Sequence, residues 1–390
     1  MSLRILLAGP VDARLLATRL ACGNPTSEEP AVPAGYGYSP LNALIPGLLD
    51  RDIQLHVVTL DPTIDAIEQH QLGETKLTLC PVRAGPRYRA RVRASDLFSE
   101  EIASLAAVMC RSDCDLVHAH WTYEFAEAAL RSGRPHLVTM HDLGWDCLRH
   151  YRDAYRAMRL VMKYRTVPRI RHLSAVSPHV ANRAWHYGFF GRVEAISNPV
   201  EDAPAPRKSP QSPVIVTVGS DARLKNVAAS IEAFPAIRDR FPEAELHLFG
   251  EGLGPNFAPA AAIDRVRCHG PVPHAELMQV LQERATLLIH PSRADTFGLI
   301  VAEAKMRGVP VVAGRASGGV GWVVGDAGGR LVDVNDPSAI AAAAVDILSE
   351  PEKYAALQRA AGEDARRRFG VAEVARRYDA AYRAILRGRA

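Results

Sequence analysis

The sequence predicts an α/β protein built from two parallel-sheet halves, and three observations carry that prediction. Its 390 residues exceed what one compact core usually organises. Short β-rich apolar runs alternate with helical patterns over nearly the whole length, as in a parallel sheet covered by helices on both faces. The alternation breaks once, at residues 201–213, where prolines and polar residues are too dense to continue either element. The domains are therefore expected at 1–200 and 201–370, followed by a terminal helix at about 371–390.

The elements follow in order. The first half offers candidate strands at 3–8, 54–59, 116–119, 136–140, 172–176 and 193–196. The second offers 214–218, 244–249, 287–289 and 310–313. Residues 371–389 set Ala, Val, Tyr and Leu at helical spacing. Hydrophobic residues make up 48% of the chain, but no stretch holds the ~20 unbroken apolar residues of a membrane span. The short apolar run after Arg4 reads as a first buried strand instead of a signal peptide, so a cytoplasmic location is expected.

Composition excludes some partners. A net charge of +4 is too small to indicate nucleic acid by itself. Of six cysteines only Cys110 and Cys114 are close, without a second pair or a His cluster, so free thiols are expected and no metal site. The one Asp-x-Asp, Asp113 to Asp115, precedes a strand and reads as a turn.

In open parallel sheets ligands bind beyond the carboxyl ends of the strands. Those positions hold Gly9, His120, His141, Ser177 and Asn198 in the first half. In the second they hold Gly219, Gly250, Ser292 to Asp295, and Gly314. Two such edges facing one another would make a deep polar cleft.

The densest chemistry lies at residues 290–314. A buried strand ends at His290, a loop holds Asp295, and a helix is expected from about Phe297 to Arg307. N–H groups at the helix start, on Phe297, Gly298 and Leu299, together with the dipole, would favour an anion. Glu303 sits in a largely apolar run and needs a partner, which sugar or ribose hydroxyls could supply. Asp295-Thr296 also reads as an ordinary helix cap, and Glu303 as an ordinary solvated residue. Nearby, Lys225 stands where a helix begins after the strand ending in Gly219, and could hold a phosphate or lie in solvent. Phe249-Gly-Glu-Gly-Leu-Gly-Pro255 imitates a dinucleotide fingerprint, but proline stands where its third glycine belongs.

The 290–314 stretch resembles the signature of glycosyltransferase family 4, the large retaining family with the GT-B fold. That signature runs Pro-Ser, Glu, Gly-Phe-Gly, Glu-Ala, then Gly-Val-Pro-Val-Val. The chain carries Pro291-Ser292, Phe297-Gly298, Glu303-Ala304 and Gly308 to Val312. The resemblance implies two facing Rossmann-like domains with an inter-domain cleft, the first binding acceptor and the second nucleotide sugar. The terminal helix would pack back on the first domain. The family's sugar-binding glutamate falls on Asp295 and its ribose-binding glutamate on Glu303. Lys225 matches the lysine that cradles the diphosphate; the companion arginine position is Ser220, and Arg223 could reach the same charge. Gly250 belongs to the matching Gly-Glu-Gly loop, and Val272 to the turn that meets the nucleobase. His141 matches the histidine that contacts the donor sugar. Gly35-Tyr-Gly37, after a long stretch from Pro10 expected to be irregular, best matches the family's early Gly-Gly loop.

Either His120 or His141 alone is more often structural than catalytic, but two at neighbouring strand ends point to a site. The expected reaction moves a hexosyl or N-acetylhexosaminyl group from a UDP- or GDP-sugar to a saccharide or lipid-linked saccharide. The expectation includes retention of configuration and no metal or other cofactor. Rival readings are a non-catalytic nucleotide-sugar binder and an epimerase or phosphorylase of similar fold. Basic stripes at Arg83, Arg87, Arg89, Arg91 and Arg93, and at Arg149 to Arg171 between Tyr, Met and Leu, suit either an anionic bilayer or a solvated helix face.

Overall fold

The computed structural model describes residues 2–20, 32–37, 40–82, 96–204, 212–220, 223–254, 257, 260 and 263–388. The chain forms two compact units: Met1–Pro199 with Val371–Ala390, and Val200–Gly370.

Unit 1 is an eight-stranded sheet of β1 (Leu3–Ala8), β2 (Ile53–Asp61), β3 (Glu68–Leu72), β4 (Thr75–Pro81), β5 (Leu116–His120), β6 (His136–Met140), β7 (Leu173–Ala175) and β8 (Val193–Ala195), in the order β3-β4-β2-β1-β5-β6-β7-β8. Every pair is parallel except the β3–β4 hairpin at one edge. All five residues of β5 and of β6 are buried, as strands covered on both faces must be. The edge strand β3, Glu-Gln-His-Gln-Leu, is polar and partly exposed. Its weak apolar signal is why the sequence gives no warning of the hairpin.

Helices α1 (Ala13–Leu20), α2 (Leu41–Leu49), α3 (Ser99–Arg111), α4 (Glu124–Arg131), α5 (Gly144–Tyr151), α6 (Ala154–Thr166) and α7 (Pro178–Ala181) connect the strands. Helix α1 corrects the expectation of an irregular stretch after Pro10: Asp12 Oδ1 accepts from Leu15 N–H at 2.9 Å and starts a helix whose Leu16 and Ala17 are buried.

Unit 2 is a six-stranded, all-parallel sheet of β9 (Val214–Val218), β10 (Glu245–Phe249), β11 (Val266–Gly270), β12 (Leu287–His290), β13 (Val311–Gly314) and β14 (Gly329–Val332), ordered β11-β10-β9-β12-β13-β14. Helices α8 (Val227–Arg240), α9 (His274–Glu283), α10 (Leu299–Met306), α11 (Val320–Val324), α12 (Pro337–Ser349) and α13 (Pro351–Phe369) accompany it. The two edge strands β11 and β14 are only partly buried, which hides them from an apolar-run criterion. Helix α12 starts by rule: Asp336 accepts from the Ser338 and Ala339 N–H groups, and Pro337 fills the first position.

The last helix, α14 (Val371–Arg387), returns to unit 1. Its Val374, Ala375, Tyr378, Tyr382 and Ile385 join the same core cluster as Ile5, Leu44, Val57 and Leu116. Burying two tyrosines and three aliphatics on one face contributes roughly 1.5–3 kcal/mol per large side chain.

Candidate functional site

Unit 2 brings the two sequence-predicted carboxylates to one loop and helix. Asp295 Oδ1 accepts from the Phe297 and Gly298 N–H groups at 3.2 and 3.0 Å, and Oδ2 accepts from Lys225 Nζ at 3.2 Å. His290 Nε2 lies 3.7 Å from the same oxygen, beyond hydrogen-bond distance. Burial pushes the Asp295 carboxyl up, but His290, Lys225 and the Phe297 N–H outweigh it and hold the group below the usual carboxylate range.

The geometry corrects two expectations. Helix α10 begins at Leu299, not Phe297, because Gly298 before it is left-handed at φ +83°. Asp295 is thus a loop-closing acceptor rather than the residue that caps the helix. Two of the three N–H groups expected to await an anion, those of Phe297 and Gly298, are taken by Asp295. The loop is pinned further: Arg293 N–H donates to Leu224 C=O at 2.9 Å, Gly319 N–H to Asp295 C=O at 2.8 Å, and Ser317 Oγ to Ser292 C=O at 2.5 Å.

Glu303 is 5% exposed on α10, and its Oε1 pairs with His274 Nε2 at 2.8 Å. The partner demanded by its apolar surroundings is therefore supplied by a protein side chain. His274 opens α9 two residues after the half-buried Val272, so the turn at Val272 and the Glu303 carboxylate are tied together.

Glycine makes the strand-end geometry possible. Gly250 sits at φ +133°, and a Cβ there would lie 1.6 Å from the Gly219 carbonyl oxygen, which no side chain survives. Its N–H donates to Gly270 C=O at 2.8 Å, while Gly219 N–H donates to Phe249 C=O at 2.9 Å. Among the described residues no helix lies between β10 and α9. Lys225 stands two residues before α8 instead of on it, because Asn226 is left-handed at φ +52°. Arg223 is exposed, its carbonyl accepting from the Arg293 guanidinium, and it stands outside the Lys225–Asp295 pair.

Unit 1 brings its two predicted histidines together directly. His120 Nδ1 and His141 Nε2 are 2.9 Å apart, at the ends of adjacent parallel strands. One layer below, His118 uses both ring nitrogens, Nδ1 with Tyr382 Oη at 2.7 Å and Nε2 with Thr139 Oγ1 at 2.8 Å. Burial pushes all three rings toward the neutral form: His118 to about 3, His141 to about 4, and His120 well below its usual value. For His141 the Asp142 charge opposes this and Lys163 adds to it. Gly35 lies at the edge of the same unit, where its N–H donates to Asp61 Oδ2 at 2.6 Å; it is left-handed at φ +75°, and a Cβ would meet the Val11 carbonyl at 2.4 Å. Gly37, at φ +95°, has open space around it.

Sequence reasoning passed over the groups behind His141. Asp142 accepts from Tyr123 Oη at 2.8 Å, from Lys163 Nζ through its carbonyl at 2.7 Å, and from the same amine through Oδ1. Arg159 pairs with the fully buried Glu124 and lies 3.7 Å from the centre of the Tyr123 ring. Lys163 and Arg159 were expected in the basic surface stripe; both are buried, because each neutralises a carboxylate inside unit 1. Arg83 to Arg93 lie outside the described residues. Arg149, Arg152, Arg165 and Arg171 are exposed. Asp113 and Asp115 both pair with Arg4 at the start of β5, the opposite end of that strand from His120. No group of three or more metal-ligating side chains occurs among the described residues, and no described helix is long and apolar enough to cross a membrane.

Residues 201–364 match the family Glycosyl transferases group 1, and residues 41–203 match Glycosyltransferase Family 4. A D-inositol 3-phosphate glycosyltransferase of Catenulispora acidiphila is 37% identical over 32% of this chain and 29% of its own length. The D-inositol 3-phosphate glycosyltransferase of Segniliparus rotundus is 31% identical over 46% of this chain and 41% of its own length. The matched parts thus span well under half of these relatives. Sucrose-phosphate synthase of Thermosynechococcus elongatus shares the fold over 99% of this chain and 100% of its own, with a TM-score of 0.72 at 19% identity. The Anabaena protein HepE, solved with UDP and glucose, does so over 98% and 100%, with a TM-score of 0.66 at 17% identity. With two matching family segments laid end to end over two parallel-sheet units, the chain belongs to glycosyltransferase family 4 and has the GT-B fold.

Proposed function

We propose that the chain transfers a hexosyl or N-acetylhexosaminyl group from a UDP- or GDP-sugar to a saccharide or lipid-linked saccharide, with retention of configuration and without a metal. The observation that carries this reading is the pair of carboxylate groups on one loop and helix of unit 2, Asp295 with His290 and with Lys225 beside Gly219, and Glu303 with His274. A nucleotide sugar needs a cation for its diphosphate and carboxylates for its hydroxyls, and these side chains supply both. In this reading Lys225 leaves Asp295 for the diphosphate, Asp295 takes sugar hydroxyls, and Glu303 exchanges His274 for the ribose.

As the sugar departs, negative charge grows on the β-phosphate. Lys225 is the side chain assigned to stabilise it. Unit 2 is read as the donor unit and unit 1 as the acceptor unit, with His141 orienting the transferred sugar. The UDP and glucose bound by the HepE neighbour favour UDP as the first donor to test. The names of the curated relatives favour a phosphorylated polyol among the acceptors.

A lipid-linked acceptor has separate support. Trp145, Trp185 and Phe190 are 52%, 59% and 85% exposed, in the part of unit 1 that also carries Arg149, Arg152 and Arg165. Aromatic rings among arginines that make no ion pair with the described residues suit the headgroup layer of an anionic membrane. The protein is accordingly read as acting from the cytoplasm, peripheral on the inner face of the plasma membrane.

The deciding experiment is a thermal-shift screen against UDP, GDP and their sugars, followed by transfer assays with sugar and polyol acceptors in excess chelator. Nucleotide release that requires an acceptor supports the transferase. Binding without turnover on any acceptor would make the chain a nucleotide-sugar binder, and activity lost to chelator and restored by magnesium would end the metal-free reading.

A further inference from the structure

One proton lies between His120 and His141, and its owner decides what His141 can offer a substrate. The ring nitrogens His120 Nδ1 and His141 Nε2 are 2.9 Å apart, and both rings are held neutral by burial. If His141 donates that proton, neutral His120 must carry its own on Nε2. That atom is buried and has no hydrogen-bond partner among the described residues. If His120 donates instead, the atom left alone is a bare lone pair.

The two arrangements are not equal in cost. A buried N–H with no acceptor is rarer and more destabilising than an under-used acceptor. No described side chain beside it supplies an acceptor. The His118 ring packs against His120 at a centroid distance of 4.1 Å, but both of its nitrogens are already committed to Tyr382 and Thr139. Tyr378 stands edge-on at 6.1 Å, with its hydroxyl 3.3 Å from Thr139 Oγ1.

Asp142 does not compete for His141 either, since its carboxylate serves Lys163 and Tyr123. Among the described residues His120 is therefore the one side chain hydrogen-bonded to the His141 ring. We propose that His120 is a positioning residue that fixes His141 with its proton on Nδ1, so that His141 meets the substrate as a hydrogen-bond donor. The receiving group is an oxygen with a free lone pair, such as a hydroxyl of the transferred sugar. The proposal rests on the reading of His141 as the residue that orients that sugar. It inverts the preference of a free neutral imidazole, which keeps its proton on Nε2.

The test separates the tautomer from the activity. Long-range nitrogen–proton NMR on the full chain labelled at histidine, without substrate, should show His141 with a protonated Nδ1 and a bare Nε2. The resonances are assigned by their loss in His141→Gln. His120→Asn places an amide donor near the Nδ1 position and should keep that form, with kcat within about threefold of the parent. His120→Leu cannot donate, so His141 should revert to Nε2–H and kcat should fall about tenfold while donor KM stays within about twofold.

A protonated Nε2 on His141 in the parent protein overturns the proposal, whatever the enzyme does. So do equal losses in the Asn and Leu variants at unchanged tautomer. If His120→Leu does not fold, the parent spectrum and the Asn variant still decide. The expected tautomer in a protein that turns over no acceptor would sink the transferase reading and leave the assignment of the proton standing.

Discussion

In unit 1 the polar strand ends are two histidines bonded to each other, above a third that is bonded to a threonine and to a tyrosine from the last helix, and burial keeps all three neutral. In unit 2 they are two carboxylates held by a lysine and histidines on a framework of glycine and backbone hydrogen bonds. The first arrangement stores orientation without charge, because each ring is fixed by its neighbour. The second holds its carboxylates with side chains that, in the proposed reading, give way to contacts with a phosphate or a hydroxyl. Neutral groups suit the direction of a hydrogen bond; charged groups suit the capture of an anion.

The largest effect should come from breaking that exchange at Asp295. Asp295→Asn keeps an oxygen for the Phe297 and Gly298 N–H groups but loses the charge that holds Lys225. Transfer should fall on the order of 100-fold, since the sugar is no longer positioned. Affinity for bare diphosphate, measured by calorimetry, should stay within about threefold or rise, since Lys225 is released. A matching loss of diphosphate affinity would show that the carboxylate serves the nucleotide instead.

Glu303→Ala should act the other way round. Removing a charge-assisted bond worth about 1.5–3 kcal/mol should weaken every nucleotide, including the bare diphosphate, by about tenfold or more. His274 loses its carboxylate partner at the same time, so His274→Gln, which leaves Glu303 in place, is the control. Unchanged diphosphate affinity in Glu303→Ala would remove the ribose role.

The neutral side is tested by acid. A histidine whose folded pKa is lowered is stabilising above its unfolded value near 6.5, and that contribution is lost as pH falls toward the folded value. The window runs from pH 6.5 down to about 4 for His141 and down to about 3 for His118. At pH 5 each should cost on the order of 2 kcal/mol of stability, read as a falling melting midpoint of unit 1. His118→Asn should flatten that slope; a slope identical to the parent's would mean that the buried rings do not drive it.

The smallest effect belongs to the contact between helix and sheet. Tyr382→Phe deletes the hydroxyl that meets His118 Nδ1 and should cost about 1 kcal/mol by denaturant melts, with nucleotide affinity unchanged. A loss of nucleotide affinity in that variant would break the separation between the two regions.

How legible each region is follows from how its residues are spaced. Pro291, Ser292, Asp295, Phe297, Gly298 and Glu303 lie within a single strand–loop–helix passage, so their joint meaning survives in the linear sequence. Their partners do not: Lys225 is 70 residues from Asp295, and His274 is 29 from Glu303. The histidine ends His120 and His141 were visible as strand ends. His118 was not, since it looks like a core residue and its partner Tyr382 lies 264 residues away. Arg159 and Lys163 misled by composition, because a basic residue in an amphipathic pattern does not announce the buried Glu124 or Asp142 that it neutralises. Most of the inner strands of both sheets were legible from apolar runs, whereas β4, whose run is broken by Lys76 and Thr78, and the edge strands β3, β11 and β14 were not.

The return of α14 to unit 1 sets an order of assembly during synthesis. Unit 2 is a continuous stretch, Val200–Gly370, and every residue it needs has been translated before α14 is made. Unit 1 must wait, with the side of its sheet destined for Tyr378 and Tyr382 uncovered and His118 Nδ1 without its hydroxyl, until a whole second unit has been translated. The half of the chain that is made first is thus the half that finishes last, and during that interval its exposed apolar face is the surface most open to chaperones and to misassembly.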